Sequence, residues 1–368
     1  AKDVPDAIWK QALASNDAEA RKFASTSASA QSISATLKLA RSALAIVPDA
    51  MDRDPWLLNC ANGTLDLRTG RLEPWDRDRL ISCLCPTEYH PDAESPIWNE
   101  FLSSTFGGDS DLIEYLQRFF GYCLTGQVSE QMLAVLWGEG ANGKSTLLTA
   151  FMQMLGPDYA MKAPHNLLLS RKRDSHPTEL ADLHRKRFAA CVETPNDAKL
   201  NETLVKELTG GDSIRARRCY ENSFEFRPTH KLVLCTNHRP LVEGTDHGIW
   251  RRLALIPFNS RFWDPSKGET GSAELQIDPD LPENLEAERE SILAWCVHGC
   301  HEWLHNGMQQ PSAVRNATSQ YRRDEDVISQ WLADRCTQSR GSRVKGADAY
   351  RDYVKWCEST GAITASNK

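Results

Sequence analysis

Within the first fifty residues the helix-forming stretches KQALASNDAEARKFAS and SATLKLARSALAIV are rich in Ala. Residues 1–50 are therefore expected to form a helical segment, ending in the polar, Pro-containing PDAMDRDP. The pattern then changes. WLLNCANGTLDLRTGRLEPW has short apolar runs broken at Asn62-Gly63 and Thr69-Gly70, which predicts short strands and hairpin turns in a small β-rich subdomain over 51–94. Three- and four-residue spacing appears in WNEFLSSTF and DLIEYLQRFFGYCL and predicts a helical collar over 95–127.

The middle third alternates strand-like and helical runs. MLAVLWGEG reads as a buried strand entering a Gly loop, and KSTLLTAFMQMLG as a helix stopped at Gly156-Pro157. Further strands are expected at RFAACVE (187–193), SIRARRCY (213–220), HKLVLCTN (230–237) and RRLALIPF (251–258), with NETLVKELTGG as a helix among them. This alternation predicts an α/β core over 128–262. A Gly-, Pro- and acid-rich connector, DPSKGETGSAELQIDPDLPENLEAERE, leads to SILAWCVHGCHEWL and then to SQYRRDEDVISQWLADRC and AYRDYVKWCEST. Residues 263–368 are thus read as a C-terminal helical domain, a truncated winged helix being one form of it.

Composition narrows the class. A chain of 368 residues with 40% hydrophobic and 25% charged residues is that of a soluble protein of more than one domain. It has no run of 18 apolar residues to span a membrane, and AKDVPDAIWK has no signal-peptide core, so a cytoplasmic location is expected. The start without Met suggests a processed chain or a fragment of a longer one, and the end at GAITASNK looks cut rather than finished. Among eleven cysteines, Cys296 and Cys300 lie one helical turn apart near His298 and His301. A buried helix with small thiols is preferred to a metal site there, since no second segment supplies a ligand pair. Net charge is −7, which argues against general nucleic-acid affinity and leaves room for a local basic element.

The candidate chemistry begins at WGEGANGKST. Gly138, Gly140 and Gly143 fit the G-x-G-x-x-G of a dinucleotide fold, while Gly138, Gly143, Lys144 and Ser145 fit the G-x-x-x-x-G-K-S of a P-loop. A dinucleotide site needs an acid at the end of a second strand, and Asp158 follows a helix instead. The P-loop reading prevails. Gly138, Glu139, Gly140, Ala141, Asn142, Gly143, Lys144, Ser145 and Thr146 would wrap the ATP phosphates, with Lys144 on the β- and γ-phosphates and the Ser145 hydroxyl on Mg²⁺. Glu193, ending FAACV, would hold Mg²⁺ or activate the attacking water, and Asn237, ending KLVLCTN, would orient that water. Arg251 and Arg252 stand at the head of a strand, as a solvated edge or as an arginine finger for a neighbouring subunit. Between them, residues 214–231 hold Arg215, Arg217, Arg218, Arg227 and Lys231 against Glu221 and Glu225, a local net of +3. Their alternation about Glu221-Asn222 reads as a basic hairpin suited to tracking a DNA backbone.

Taken in order, GEGANGKS, ACVET, VKELTGGDSIRARRCYENSFEF, KLVLCTNHRP and WRRLALIPF resemble the superfamily 3 helicases, more closely the helicase half of phage, plasmid and poxvirus primase-helicases. The resemblance implies an AAA+ core working as a ring, usually a hexamer, on single-stranded and forked DNA in a phage or mobile-element replicon of a bacterial host. It assigns Lys144 and Ser145 to the P-loop, Glu193 to the Walker-B position, Asn237 to the polar sensor and Arg251, with Arg252 as rival, to the finger. Lys206 and the hairpin arginines Arg215, Arg217 and Arg218 would face the channel. The single acid at Glu193 departs from the two-acid form. Family members often carry a primase-polymerase domain upstream; nothing in residues 1–50 resembles one. The rival readings are an initiator or loader that remodels DNA without processive unwinding, a small-molecule P-loop kinase, and a DNA-binding module that does not hydrolyse ATP.

Overall fold

The computed structural model describes residues 3–15, 17–43, 45–47, 50–170, 177–192, 198–243, 246–337 and 339–361. They fall into two compact units, Ala1–Arg53 and Asp54–Lys368. The first holds α1 (Asp3–Ala14), α2 (Ala18–Ser27) and α3 (Ala30–Ala43). The Asp17 carboxylate accepts the Glu19 amide at 2.9 Å and so starts α2.

The second unit opens with an antiparallel meander, β1 (Leu57–Cys60), β2 (Gly63–Asp66) and β3 (Arg71–Glu73). Helices α4 (Pro96–Phe106) and α5 (Ser110–Leu124) follow. Next come β4 (Leu133–Trp137), α6 (Lys144–Tyr159), β5 (Ala160–Ala163), α7 (Pro177–Ala181), β6 (Phe188–Val192) and α8 (Glu202–Leu208). The hairpin β7 (Ile214–Ala216) and β8 (Phe224–Phe226) precedes β9 (Lys231–Thr236), α9 (His247–Trp250) and β10 (Leu253–Pro257). The chain closes with α10 (Leu281–Ala287), α11 (Arg289–Asn306), α12 (Ser312–Glu325), α13 (Val327–Arg335) and α14 (Gly346–Thr360).

The central sheet is five-stranded and parallel, in the order β10-β4-β9-β6-β5. Its inner strands are almost wholly apolar because both faces are covered. Ala134, Leu136, Val233 and Ile256 join one core with α5, α6 and α11, while Leu133, Val135, Leu232 and Leu255 join a second core that includes Tyr321 of α12. From β4 the chain crosses to the far edge at β5, works back through β6 to β9, and then adds β10 on the other side of β4. The carboxyl end of β4 is therefore a switch point, the place where open α/β sheets bind ligands.

Helices α5 and α11 cross at glycines. A Cβ on Gly121 would lie 2.1 Å from the Cys300 amide nitrogen, and one on Gly299 would lie 2.0 Å from the Gln117 carbonyl oxygen. Cys296 and Cys300 are buried in this core, with the Cys300 thiol pushed up to about 12 by burial, as the buried-helix reading of ILAWCVHGC requires. Helix α6 breaks at Gly156 (φ 78°), where a Cβ would lie 2.3 Å from Pro86 Cδ.

Three features differ from the sequence reading. The strands of the basic hairpin are three residues each, not the eight of 213–220, because apolar cover extends only to Ile214, Ala216, Phe224 and Phe226. Lys231 is buried at the start of β9, where its amino group donates to the carbonyls of Thr125 and Thr229 and burial pushes it down to about 7. The exposed charge of the hairpin is therefore four arginines against Glu221 and Glu225. Finally, the connector after residue 262 is a wall of the site rather than a spacer. Beyond it the described residues hold helices and short turns, with no two-stranded wing among them. No described helix is long and apolar enough to cross a membrane.

Candidate functional site

The loop from Gly138 to Gly143 joins the carboxyl end of β4 to the first turn of α6. Its glycines are not equivalent. A Cβ on Gly138 would lie 2.3 Å from the Phe258 carbonyl oxygen, and Gly143 has φ 85° with Thr105 Oγ1 and Phe101 of α4 against it. Gly140 has open space around it, and the left-handed residue in mid-loop is Ala141 (φ 57°). The two positions that need glycine are thus those of the P-loop pattern, and the middle glycine of G-x-G-x-x-G is not required by shape.

The loop is held in a cupped form by its own side chains. Asn142 Nδ2 donates to the Glu139 carbonyl at 2.5 Å, while the Lys144 amino group donates to Gly138 O (2.6 Å) and Asn142 Oδ1 (2.9 Å). Asn142 and Lys144 are buried, and burial holds the Lys144 ammonium below its ordinary value. A buried cation donating to uncharged acceptors gains from meeting an anion. The Thr105 hydroxyl beside Gly143 is buried without a hydrogen-bond partner among the described residues. Together with the α6 amino end, this cradle fits a phosphate chain. Ser145 is exposed at the same end of α6, where its hydroxyl is available to a cation.

Two cavities flank the loop. The larger, about 1050 Å³, runs from Ala141, Gly143 and Thr146 to α4, Phe262 and the connector segment 273–282. Backbone bonds tie these walls together: Phe262 N donates to Ala141 O (2.7 Å), and Trp263 and Leu275–Ile277 exchange two bonds of 2.9 Å. Such a volume, with apolar walls from Ile97, Phe101, Phe262, Leu275 and Ile277, accommodates a nucleoside. The second cavity, about 840 Å³, is lined by Ser145, Lys162, Val192 and Arg289. Glu193 follows Val192 in the chain and lies outside the described residues, so its expected Walker-B role has no geometry on which to rest.

Asn237 follows β9, whose Thr236 pairs with Trp137 at the end of β4, so Asn237 stands exposed on the same sheet edge as the loop. Arg251 and Arg252 stand on the opposite edge, since Leu253 pairs with Leu133 at the start of β4. Five strand residues separate the two edges, roughly 15–20 Å. The two arginines also differ from each other. Arg252 is half-buried, donates to Thr209 Oγ1 (3.2 Å) and Gly248 O (2.7 Å), and is pushed down by burial and by its neighbour Arg251. Arg251 is exposed and donates only to Gln131 Oε1 (2.9 Å) among the described residues. Lys206 is paired with Asp246, the cap of α9, and so belongs to this arginine-bearing edge rather than to the hairpin with which the sequence grouped it.

Arg215, Arg217 and Arg218 are exposed on the β7–β8 hairpin and make no ion pair among the described residues. Arg239 had no place in the sequence reading. It packs over Trp137, the residue before the loop, and over Tyr321 of α12, and pairs with Asp324 at 2.9 Å, joining the C-terminal helices to the loop's strand. TNHRP contains it, but nothing local distinguishes it from a turn residue.

Residues 2–107 match the family described as D5 N terminal like, and residues 136–252 match a family of unknown function, DUF5906. The chain is 29% identical over 327 residues to the proposed helicase L207/L206 of Acanthamoeba polyphaga mimivirus, covering 84% of this chain and 34% of that protein. It is 28% identical over 187 residues to Primase D5 of Fowlpox virus, covering 48% of this chain and 23% of that protein. The chain thus spans about a third or less of the length of these curated relatives. Both are viral proteins, and neither speaks for a bacterial host. Among solved structures, the apo C-terminal region of NrS-1 has the same fold, with a TM-score of 0.51 at 13% identity, covering 90% of this chain and 74% of that one. The chain is accordingly a relative of the D5-type viral primase-helicases of superfamily 3.

Proposed function

We propose that this chain is the AAA+ ATPase part of a replicative DNA helicase, using ATP and Mg²⁺ at sites shared between copies of a ring to move on single-stranded DNA and open forked duplex. A hexamer is the expected ring, and a primase-polymerase domain or protein its expected partner. The observation that carries the reading is the division of labour across the sheet. Lys144 and Asn237 occupy one edge and Arg251 the other, so Arg251 cannot serve the nucleotide of its own chain.

In this reading the phosphates lie in the Gly138–Gly143 cradle and the nucleoside in the larger cavity. Lys144 transfers its two hydrogen bonds from the loop to phosphate oxygens, and Asn237 orients the attacking water. Ser145 and Glu193 would hold Mg²⁺, which when bound neutralises charge on the phosphates. Arg251 of a neighbouring copy would stabilise the charge that develops in the transition state.

Two outcomes are expected. Wild-type protein unwinds a forked duplex with ATP, and tails of each polarity report direction; hydrolysis without unwinding would favour the loader reading. Arg251→Ala lowers ATP hydrolysis by about a thousand-fold with nucleotide binding retained. Mixing it with Lys144→Ala protein restores turnover, because the mixed interface holds one intact loop and one intact arginine. Mixtures as inactive as either variant alone would remove the support for a shared site.

A further inference from the structure

Residues 217–223 between β7 and β8 are all exposed. At their centre Tyr220 is 108% exposed, and its φ is 63°. A bulky residue in the left-handed region is strained, and an aromatic ring left in water forgoes the burial that usually stabilises it. Neither cost is relieved within the chain, since the ring makes no aromatic, cation–π or hydrogen-bond contact among the described residues. Nor is the ring exposed because the hairpin is loose. Ile214, Ala216 and Phe226 are buried in the second core, Phe224 and Phe226 pack on His184 with centroids 5.4 and 5.2 Å away, and Glu221 N closes the tip turn onto Arg218 O at 3.2 Å. The stem is anchored and the ring is held out. On either side of the turn stand cations without ion-pair partners among the described residues, Arg217 and Arg218 before it and Arg227 after it.

An aromatic platform beside unpaired arginines is the combination by which proteins grip single strands, the ring on a base face and the cations on the phosphates. We propose that Tyr220 stacks on a nucleobase of single-stranded DNA whose backbone passes Arg217 and Arg218. This deepens the DNA-binding reading above and rests on it. Because every base has a π face, the contact tolerates any sequence, as a contact that moves along a strand must. The phenol hydroxyl is not part of the contact.

The test is equilibrium binding of the full chain to labelled oligothymidylate and to the same strand carrying abasic sites, across a salt series. Tyr220→Ala is expected to weaken binding to the normal strand about ten-fold or more, and Tyr220→Phe to leave it unchanged. The slope of affinity against salt should stay that of wild type, since no phosphate contact is lost. On the abasic strand wild type should fall to the level of Tyr220→Ala. Arg217→Ala with Arg218→Ala should instead flatten the salt slope. Equal binding of both strands by wild type and Tyr220→Ala would overturn the stacking role. So would a Tyr220→Ala protein whose assembly mass changes in sedimentation while its affinity per site does not, which would make the ring a contact between copies. If wild type binds no single strand at all, the DNA reading itself falls, and the stacking proposal with it.

Discussion

Lys144→Ala is expected to lower ATP hydrolysis by at least two to three orders of magnitude while the protein remains as stable as wild type to within about 1 kcal/mol. The two halves of this expectation come from the same geometry. The ammonium is buried and donates to Gly138 O and Asn142 Oδ1, both uncharged. Burial acts against its charge, as the lowered proton affinity records, so the folded state gains little by keeping it there. Truncation frees two acceptors that water can satisfy, and removes the only side-chain cation of the 138–146 loop. Turnover measured beside a denaturant melt checks both. A variant that hydrolyses ATP at the wild-type rate would refute the phosphate role. One that loses activity only because it unfolds would make Lys144 a structural residue.

Gly299→Ala should be strongly destabilising. Helix propensity alone predicts a gain of about 1 kcal/mol for alanine in mid-helix. Here the added Cβ would stand 2.0 Å from the Gln117 carbonyl oxygen and 2.4 Å from its carbon, both backbone atoms that cannot rotate away. α5 and α11 must separate, and with them the core that contains Leu116, Phe120, Ile292 and Val297. A loss of roughly 3 kcal/mol or more is expected. Gly346→Ala, at the open start of α14, is the control and should be neutral or slightly stabilising. Far-UV circular dichroism in a urea series distinguishes the two, and a Gly299→Ala protein as stable as wild type would mean that the helices do not cross so closely.

What the sequence made legible was local. The strand-loop-helix around Gly143, the meander broken at Asn62-Gly63 and Thr69-Gly70, and the hairpin about Glu221-Asn222 all follow from spacing, turn chemistry and apolar runs. The long-range parts were not legible. Lys231 reads as one more basic residue of the hairpin, because nothing beside it reveals that the Thr125 carbonyl waits in another segment to receive it. The connector reads as a linker because its polarity is that of a loop, and its role as a cavity wall depends on backbone pairing with Trp263. Arg251 and Arg252 are equivalent in sequence, and only Thr209 and Gly248 tell them apart. Glu193, the residue on which most of the mechanism would turn, lies outside the described residues.

The Glu288 carboxylate accepts the amides of Ile97 and Trp98 at 3.1 and 2.8 Å, which makes it the cap of a helix that begins 192 residues earlier. Pro96 at the head of α4 brings no cap of its own, because Ser95 makes no side-chain cap bond. α4 in turn lays Phe101 and Thr105 against Gly143. The consequence is that the P-loop region is not a portable module. A fragment ending at 262 would keep every motif residue and lose the carboxylate that caps α4, the wall of the larger cavity and the helix that fills the space beside Gly121. Truncation in such a protein is therefore not tolerable at the seam that the motifs suggest, so its loop residues and its C-terminal helices are bound to be inherited together.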